Sequence, residues 1–186
     1  VIAASNLIKR QKVSALIVFG TPTSLAVAAL AERAAVPMIA LSIHPAVVKD
    51  RTYVMKHWVT AEEENRLVIG EVVKRGYRRV AIVSGINDAM LKLRDLFASS
   101  GVTEVVLNEE LNIGETDFRS VANRIRQLNP DAVYILLWPP QPSLFASQLR
   151  EMRFSGELFG VHNLEDRQEQ INSRGALNGA WFVSGD

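Results

Sequence analysis

The sequence predicts an α/β protein built on parallel sheets flanked by helices, and three observations predict it. Short apolar runs recur, among them ALIVF, VAIV and AVYILLW. Each follows a basic or polar turn and leads into a polar loop, as in KRQKVSALIVFG, KRGYRRVAIVSG and RQLNPDAVYILLW. Stretches of helical periodicity separate the runs. A short unalternated run is the pattern of a strand covered on both faces, and strands alternating with helices at this spacing mean βαβ units.

The elements follow in order. Residues 1–10 pattern as a helix and 15–19 as a buried strand. The run then breaks at Gly20, Thr21, Pro22, Thr23 and Ser24 before an alanine-rich helix over 23–34. Thr21 followed by Pro22 reads as an N-cap and first-turn pair, since the hydroxyl accepts from an orphan amide and proline has none to lose. Such a helix aims its free amides at the carboxyl edge of the sheet, where open α/β folds bind ligands; the plainer alternative is a cap and turn with no ligand. A strand is expected over 37–41. Residues 50–60 alternate Tyr53, Met55, His57 and Val59, as an extended crossing strand would, and Thr60 with Glu63 then suits a capping box.

The βα pattern restarts after that segment. Helices are expected over 61–75, 89–99, 116–128, 142–153 and about 164–174, with strands over 102–107, 157–161 and 179–183 besides those in the quoted runs. Thr116-Asp117 before Val121, Ile125 and Leu128 reads as a helix start with an apolar stripe, and Asn129-Pro130-Asp131 as a stop and turn. The restart places a boundary between a partial first lobe, 1–58, and a second lobe, 59–186. The first has too few strands to close a sheet alone.

Composition narrows the function classes. The 186 residues are 48% hydrophobic and 22% charged with a net charge of +1, ordinary for one or two globular domains and poor for a nucleic-acid surface. The densest basic clusters, Lys9-Arg10-Gln11-Lys12 and Lys74 to Arg79, fall between elements and read as solvated loop charge. Zero cysteine excludes disulfides, thiolate metal sites and cysteine nucleophiles without fixing the compartment. No apolar run reaches spanning length, and no signal peptide is present. No G-x-G-x-x-G, P-loop or G-x-S-x-G pattern occurs, and the histidines have no carboxylates at ligand spacing, so neither a metal nor another cofactor is expected. Glu62-Glu63-Glu64 and Glu165-Asp166 are each explained by a helix start.

TPTSLAVAALAERAAVPMIAL, YVMKHW, RRVAIVSGINDA, GETDFRSVANRIRQLNPDAVYI and FGVHN, in that order, resemble the substrate-binding proteins of branched-chain amino-acid-type ABC transporters. The resemblance covers nearly the whole chain and is most specific in TDF…NPDAV. It implies the type I periplasmic binding protein fold: two Rossmann-like α/β lobes joined by crossing strands and closing on a small ligand. This chain would hold the later part of the first lobe and nearly all of the second. Beginning at Val1 inside a helix, it reads as part of a longer protein, whose unpaired strand edges would favour self-association.

Position by position, the resemblance places ligand contacts at Thr21, with Thr23 and Ser24 nearby, and at Ser42 to His44. In the second lobe they fall at Met90, where an aromatic is usual, at Trp138, and at His162, where amino-acid binders carry a carboxylate for the ligand ammonium. A histidine there points to an acid lacking an ammonium unless Glu165 or Asp166 restores the charge. The expected function is therefore extracytoplasmic, periplasmic capture of a small carboxylate-bearing ligand, an amino acid or an aromatic or other organic acid, for an ABC transporter permease, with no catalysis. A sensor domain of the same fold and a nucleotide-binding α/β enzyme are the alternatives.

Overall fold

The computed structural model describes residues 1–184. The chain forms two compact units, Val1–Ala61 and Glu62–Asp186. In the first, α1 (Ile2–Lys9) precedes β1 (Leu16–Phe19), α2 (Thr21–Arg33), β2 (Met38–Leu41) and β3 (Val54–Lys56). The strands lie in that order, all parallel, with Leu16, Met38 and Val54 in register. Leu16, Val18, Met38, Ala40 and Val54 are buried with Val27, Ala28 and Ala31 of α2 and Ala4 of α1.

One expectation changes here. The 15–19 run was expected to be covered on both faces, yet Ile17 is 74% and Phe19 67% exposed, because the helices of this unit pack on the opposite face. Of the 50–60 segment, expected as an extended crossing strand, Val54–Lys56 pairs with β2 as the third strand of this sheet. Its apolar alternation marks the bare face: Tyr53 and Met55 point outward while Val54 enters the core.

The second unit contains α3 (Ala61–Arg75), β4 (Arg79–Gly85), α4 (Asp88–Ser99), β5 (Glu104–Leu111), α5 (Arg119–Leu128), β6 (Ala132–Leu136), α6 (Gln141–Glu151), β7 (Glu157–Gly160), α7 (Arg167–Asn172) and β8 (Trp181–Phe182). Its sheet is parallel throughout in the order β5-β4-β6-β7-β8. Alternate residues feed two cores. Ala81, Val83, Val133, Ile135 and Leu158 pack with Phe118, Val121, Ile125, Phe145 and Leu149 of the α5–α6 side. On the other face Tyr134, Phe159 and Trp181 sit in register and stack at 4.7 Å between successive ring centroids, with Phe97 of α4 edge-on to Tyr134 at 5.1 Å.

Side chains pin the strand ends. Asp131 Oδ2 accepts from the amides of Arg78 and Arg79 at 2.8 and 2.9 Å, tying the start of β6 to that of β4. Those two amides hold the Asp131 carboxyl below its ordinary range. At the β8 edge the Trp181 indole donates to Tyr77 Oη at 3.0 Å, and Tyr77 donates to Glu157. Burial, helped by Glu157, pushes the Tyr77 hydroxyl up to about 12. Arg75 lies 5.0 Å over the Trp181 ring and pairs with Glu71 and Glu157, so this member of the basic 74–79 cluster is not free loop charge.

Several boundaries move. Gly20, at φ 87°, is the N-cap of α2, so Thr21 is its first helical residue and not its cap. Thr116-Asp117 lies ahead of α5, whose N-cap is Phe118; Asp117 Oδ1 accepts the Arg119 amide at 3.1 Å. β5 runs four residues further than expected, and the 164–174 helix divides into a 3-10 turn (His162–Leu164) and α7, which Asp166 caps. Only Trp181–Phe182 of the 179–183 strand pairs. Among the described residues no helix is long and apolar enough to cross a membrane.

Candidate functional site

In the first unit the residues singled out by sequence gather at the carboxyl ends of β1 and β2. The α2 N-terminus has no side-chain cap, which leaves the Thr21 and Thr23 amides directed at this edge with the positive end of the helix dipole. Thr21 Oγ1 and Ser42 Oγ are 2.9 Å apart, and Ser42 Oγ accepts the His44 amide at 3.2 Å. His44, exposed, accepts the Ala46 amide on Nδ1 at 3.1 Å. An accepting Nδ1 puts the proton of the neutral ring on Nε2, so His44 offers a donor. Hydroxyls, amides and this imidazole N–H together suit a carboxylate.

Ser24 departs from expectation. Fully buried, it donates to the Val18 carbonyl at 3.4 Å, fastening α2 to β1 with its hydroxyl turned inward. Thr23 is exposed, with its amide in the uncapped first turn of α2.

The second unit has the 2-1-3-4-5 doubly wound order, with its switch point between β4 and β6. Trp138 follows β6 and His162 follows β7, so both stand at the carboxyl edge beside that switch. The two rings meet edge to face at 5.7 Å, with Trp138 half-buried. Asn163 fixes the turn that carries His162. It is buried, donates to the Ile135 and Leu137 carbonyls at 3.2 and 2.7 Å, and accepts the Val161 amide at 3.1 Å. Gly160 permits the turn to close, since a Cβ there would meet Leu164 at 2.7 Å and the Ile135 carbonyl at 3.0 Å.

Met90 is a correction. Asn87 caps α4 by accepting the Met90 amide at 3.0 Å, and the Met90 side chain is fully buried, so it presents no surface to a ligand.

The larger correction is Glu64. A helix-start role was expected for the whole Glu62–Glu64 run, yet Glu64 is 1% exposed and its Oε1 lies 2.7 Å from His162 Nδ1. Its second oxygen has no hydrogen-bond partner among the described residues. Glu165 and Asp166, the carboxylates weighed as substitutes, are engaged elsewhere: Glu165 accepts from Ser184, and Asp166 caps α7. Sequence offered one signal for Glu64, its place one turn after Ala61 and one turn before Val68, both of which are buried on the same helix face. A separate concavity of about 390 Å³ lies at the β8 edge among Leu67, Glu71, Arg75 and Trp181; it includes none of the predicted residues, and Arg75 and Glu71 pair within it.

Residues 1–184 match the periplasmic binding protein family. The chain belongs to that family. Among curated proteins it is similar to the Leu/Ile/Val-binding protein BraC3 of Rhizobium johnstonii, 29% identical over 111 residues, which are 58% of this chain and 30% of that protein. Among solved structures it resembles the branched-chain amino acid transporter substrate-binding protein LivJ of Streptococcus pneumoniae, solved with isoleucine, at a TM-score of 0.88 and 18% identity over 97% of this chain and 53% of that one. A solute-binding protein of an ABC transporter from Rhodopseudomonas palustris, solved with 3,4-dihydroxybenzoic acid, gives a TM-score of 0.72 at 23% identity over 88% and 47%. The periplasmic binding protein chain described here thus spans about half the length of the solved relatives. The expected type I periplasmic binding fold, with its parallel sheets flanked by helices, is the one found.

Proposed function

We propose that this chain is the ligand-binding part of an extracytoplasmic solute-binding protein. It captures a small carboxylate-bearing molecule, an amino acid or an aromatic or other organic acid, and hands it to an ABC transporter permease without catalysis. The supporting observation is the Thr21–Ser42–His44 cluster beside the uncapped first turn of α2. Within the first unit these groups are the proposed receivers of the ligand carboxylate, and Trp138 and His162 are the proposed ligand contacts of the second unit. Residues 1–58 and 59–186 are proposed as the partial first lobe and the second lobe of the family fold. Relatives named for leucine, isoleucine and valine, and one solved with a dihydroxybenzoate, bracket the ligand class.

Calorimetry of the intact protein with leucine, isoleucine, benzoate and 4-hydroxybenzoate tests this reading. A hydrogen bond to a charged group contributes about 1.5–3 kcal/mol, so Ser42→Ala should weaken the best ligand roughly ten- to a hundredfold. Absence of binding by any carboxylate, or affinity indifferent to Ser42→Ala, refutes it.

A further inference from the structure

Asn163 does more than close the turn after β7. We infer that it is a positioning residue for ligand binding: its buried carboxamide is spliced into the ladder between β6 and β7, and so fixes the ring contact that orients Trp138 toward a ligand. The inference rests on the binding function proposed above and concerns the second unit alone.

The ladder itself shows the splice. The Glu157 amide donates to the Asp131 carbonyl at 3.0 Å, and β6 and β7 stay in register up to Ile135 opposite Gly160. A parallel ladder repeats every two residues. Carried on, this one would send the Val161 amide to the Ile135 carbonyl and the Asn163 amide to that of Leu137. Instead the Val161 amide donates to Asn163 Oδ1 at 3.1 Å, and Asn163 Nδ2 donates to the Ile135 and Leu137 carbonyls at 3.2 and 2.7 Å. One side chain stands where two backbone bonds would have been, and it spaces the two strand ends.

The residue type fits the task. A carboxamide has two N–H donors and one carbonyl acceptor, and here all three bonds are buried, with Asn163 only 2% exposed. Aspartate would set a carboxylate against two carbonyl oxygens, and an aliphatic residue would orphan all three partners. Gly160 shows how closely the two ends fit, since a Cβ there would lie 3.0 Å from the same Ile135 carbonyl.

The splice sits one residue behind each ring. Trp138 follows Leu137 and His162 follows Val161, so the carboxamide sets the spacing of the two backbones from which these rings project. Trp138, half-buried, rests edge to face against His162 at 5.7 Å between centroids, and Glu64 Oε1 steadies His162 from 2.7 Å on its Nδ1. A ring already held in one orientation loses little freedom when a ligand meets it. Asn163 supplies that pre-organisation without touching the ligand.

Two measurements on the intact protein test this. The first is the nuclear Overhauser contact between the Trp138 indole and the His162 imidazole, assigned by its loss in Trp138→Leu. It should be present in the wild type and in Asp131→Ala, which cuts bonds at the opposite end of β6. It should be lost or weakened in Asn163→Asp. Asn163→Ser, which keeps one donor and one acceptor, takes the place of Asn163→Asp should that chain not fold. No such contact in the wild type, or one that persists in the folded Asn163 variant, overturns the inference without touching the binding function.

The second is affinity, by calorimetry, for whichever of leucine, isoleucine, benzoate and 4-hydroxybenzoate binds. The Asn163 variant should weaken it roughly tenfold or more, and Asp131→Ala should leave it unchanged. In a Trp138→Leu background the Asn163 change should have little further effect, because residues that act through one ring are not additive. A residue that only stabilised the fold would add its effect in both backgrounds. Unchanged affinity in the Asn163 variant, an equal loss in Asp131→Ala, or losses that multiply in the double variant overturn the inference and leave solute binding intact. Failure of all four ligands to bind overturns it together with the proposed function.

Discussion

Tyr134→Phe should stabilise the second unit, although it alters one of the largest buried side chains in the protein. Tyr134 is fully buried, and its hydroxyl has no partner among the described residues. Its ring lies 4.7 Å from Phe159 at 10° and 5.1 Å from Phe97 at 61°. Phenylalanine keeps both ring contacts and removes only the oxygen. A buried unpaired donor costs about 1–3 kcal/mol, and the void left by one oxygen costs a few tenths of a kcal/mol by the cavity coefficient. The net gain is about 1–2 kcal/mol, or a rise of about 3–6 °C in the Tm of this unit.

The same hydroxyl has an alkaline signature. Burial, with the Glu64 charge adding to it, holds the Tyr134 ionisation well above 10 in the folded state. The unfolded chain loses this proton first, near pH 10, so the unfolded state binds fewer protons and stability falls as pH rises beyond that point. Tyr134→Phe should remove this share of the fall and leave the share that belongs to Tyr77, raised to about 12. Urea unfolding at neutral pH and above pH 10 reads both effects. A destabilisation of more than about 1 kcal/mol at neutral pH would refute the reasoning, since it would mean the hydroxyl is satisfied.

Two further outcomes are expected. Asp131→Ala, which hands the exposed Arg78 and Arg79 amides to water, should cost about 0.5–1.5 kcal/mol at neutral pH. Because the folded carboxyl is held below 3.8, its contribution is present above that value and lost as pH falls through the lower folded one, so the wild-type and variant urea midpoints should converge in acid; a constant gap would sink the assignment. Asn163→Ala orphans the Val161 amide and two strand-end carbonyls, and should cost about 2–4 kcal/mol in thermal unfolding. A loss under 1 kcal/mol would show that the turn stands without its clamp.

The alternation of buried runs and helices was legible because two-sided burial leaves a continuous apolar signature, and every expected strand after residue 75 pairs in one parallel sheet. The 15–19 run misled for an instructive reason. Its apolar residues are there, but within this unit Ile17 and Phe19 have no helix over them, and a sequence does not say whether cover is present. Gly20 went unread as a cap because a threonine-proline pair competes with it one residue later, and φ 87° is invisible in composition. The loops at Thr21, Ser42, Trp138 and His162 were legible because they follow strand runs at the carboxyl edge. Glu64 was not, since its partner lies 98 residues away and a helix start already accounts for an acidic first turn.

The last strand, β8, gives the second unit an uneven resistance to being pulled. Only Trp181 and Phe182 pair with β7, so the ladder there is too short to resist a load by itself. Beyond the Val183 amide on the Gly160 carbonyl and Ser184 on Glu165, the grip comes from one indole, stacked on Phe159, roofed by Arg75 and tethered through its N–H to Tyr77. Tension applied beyond Val183 would meet little graded unzipping. The strand should hold until the Trp181 ring leaves its slot and then part in a single step, with the four inner strands still in register.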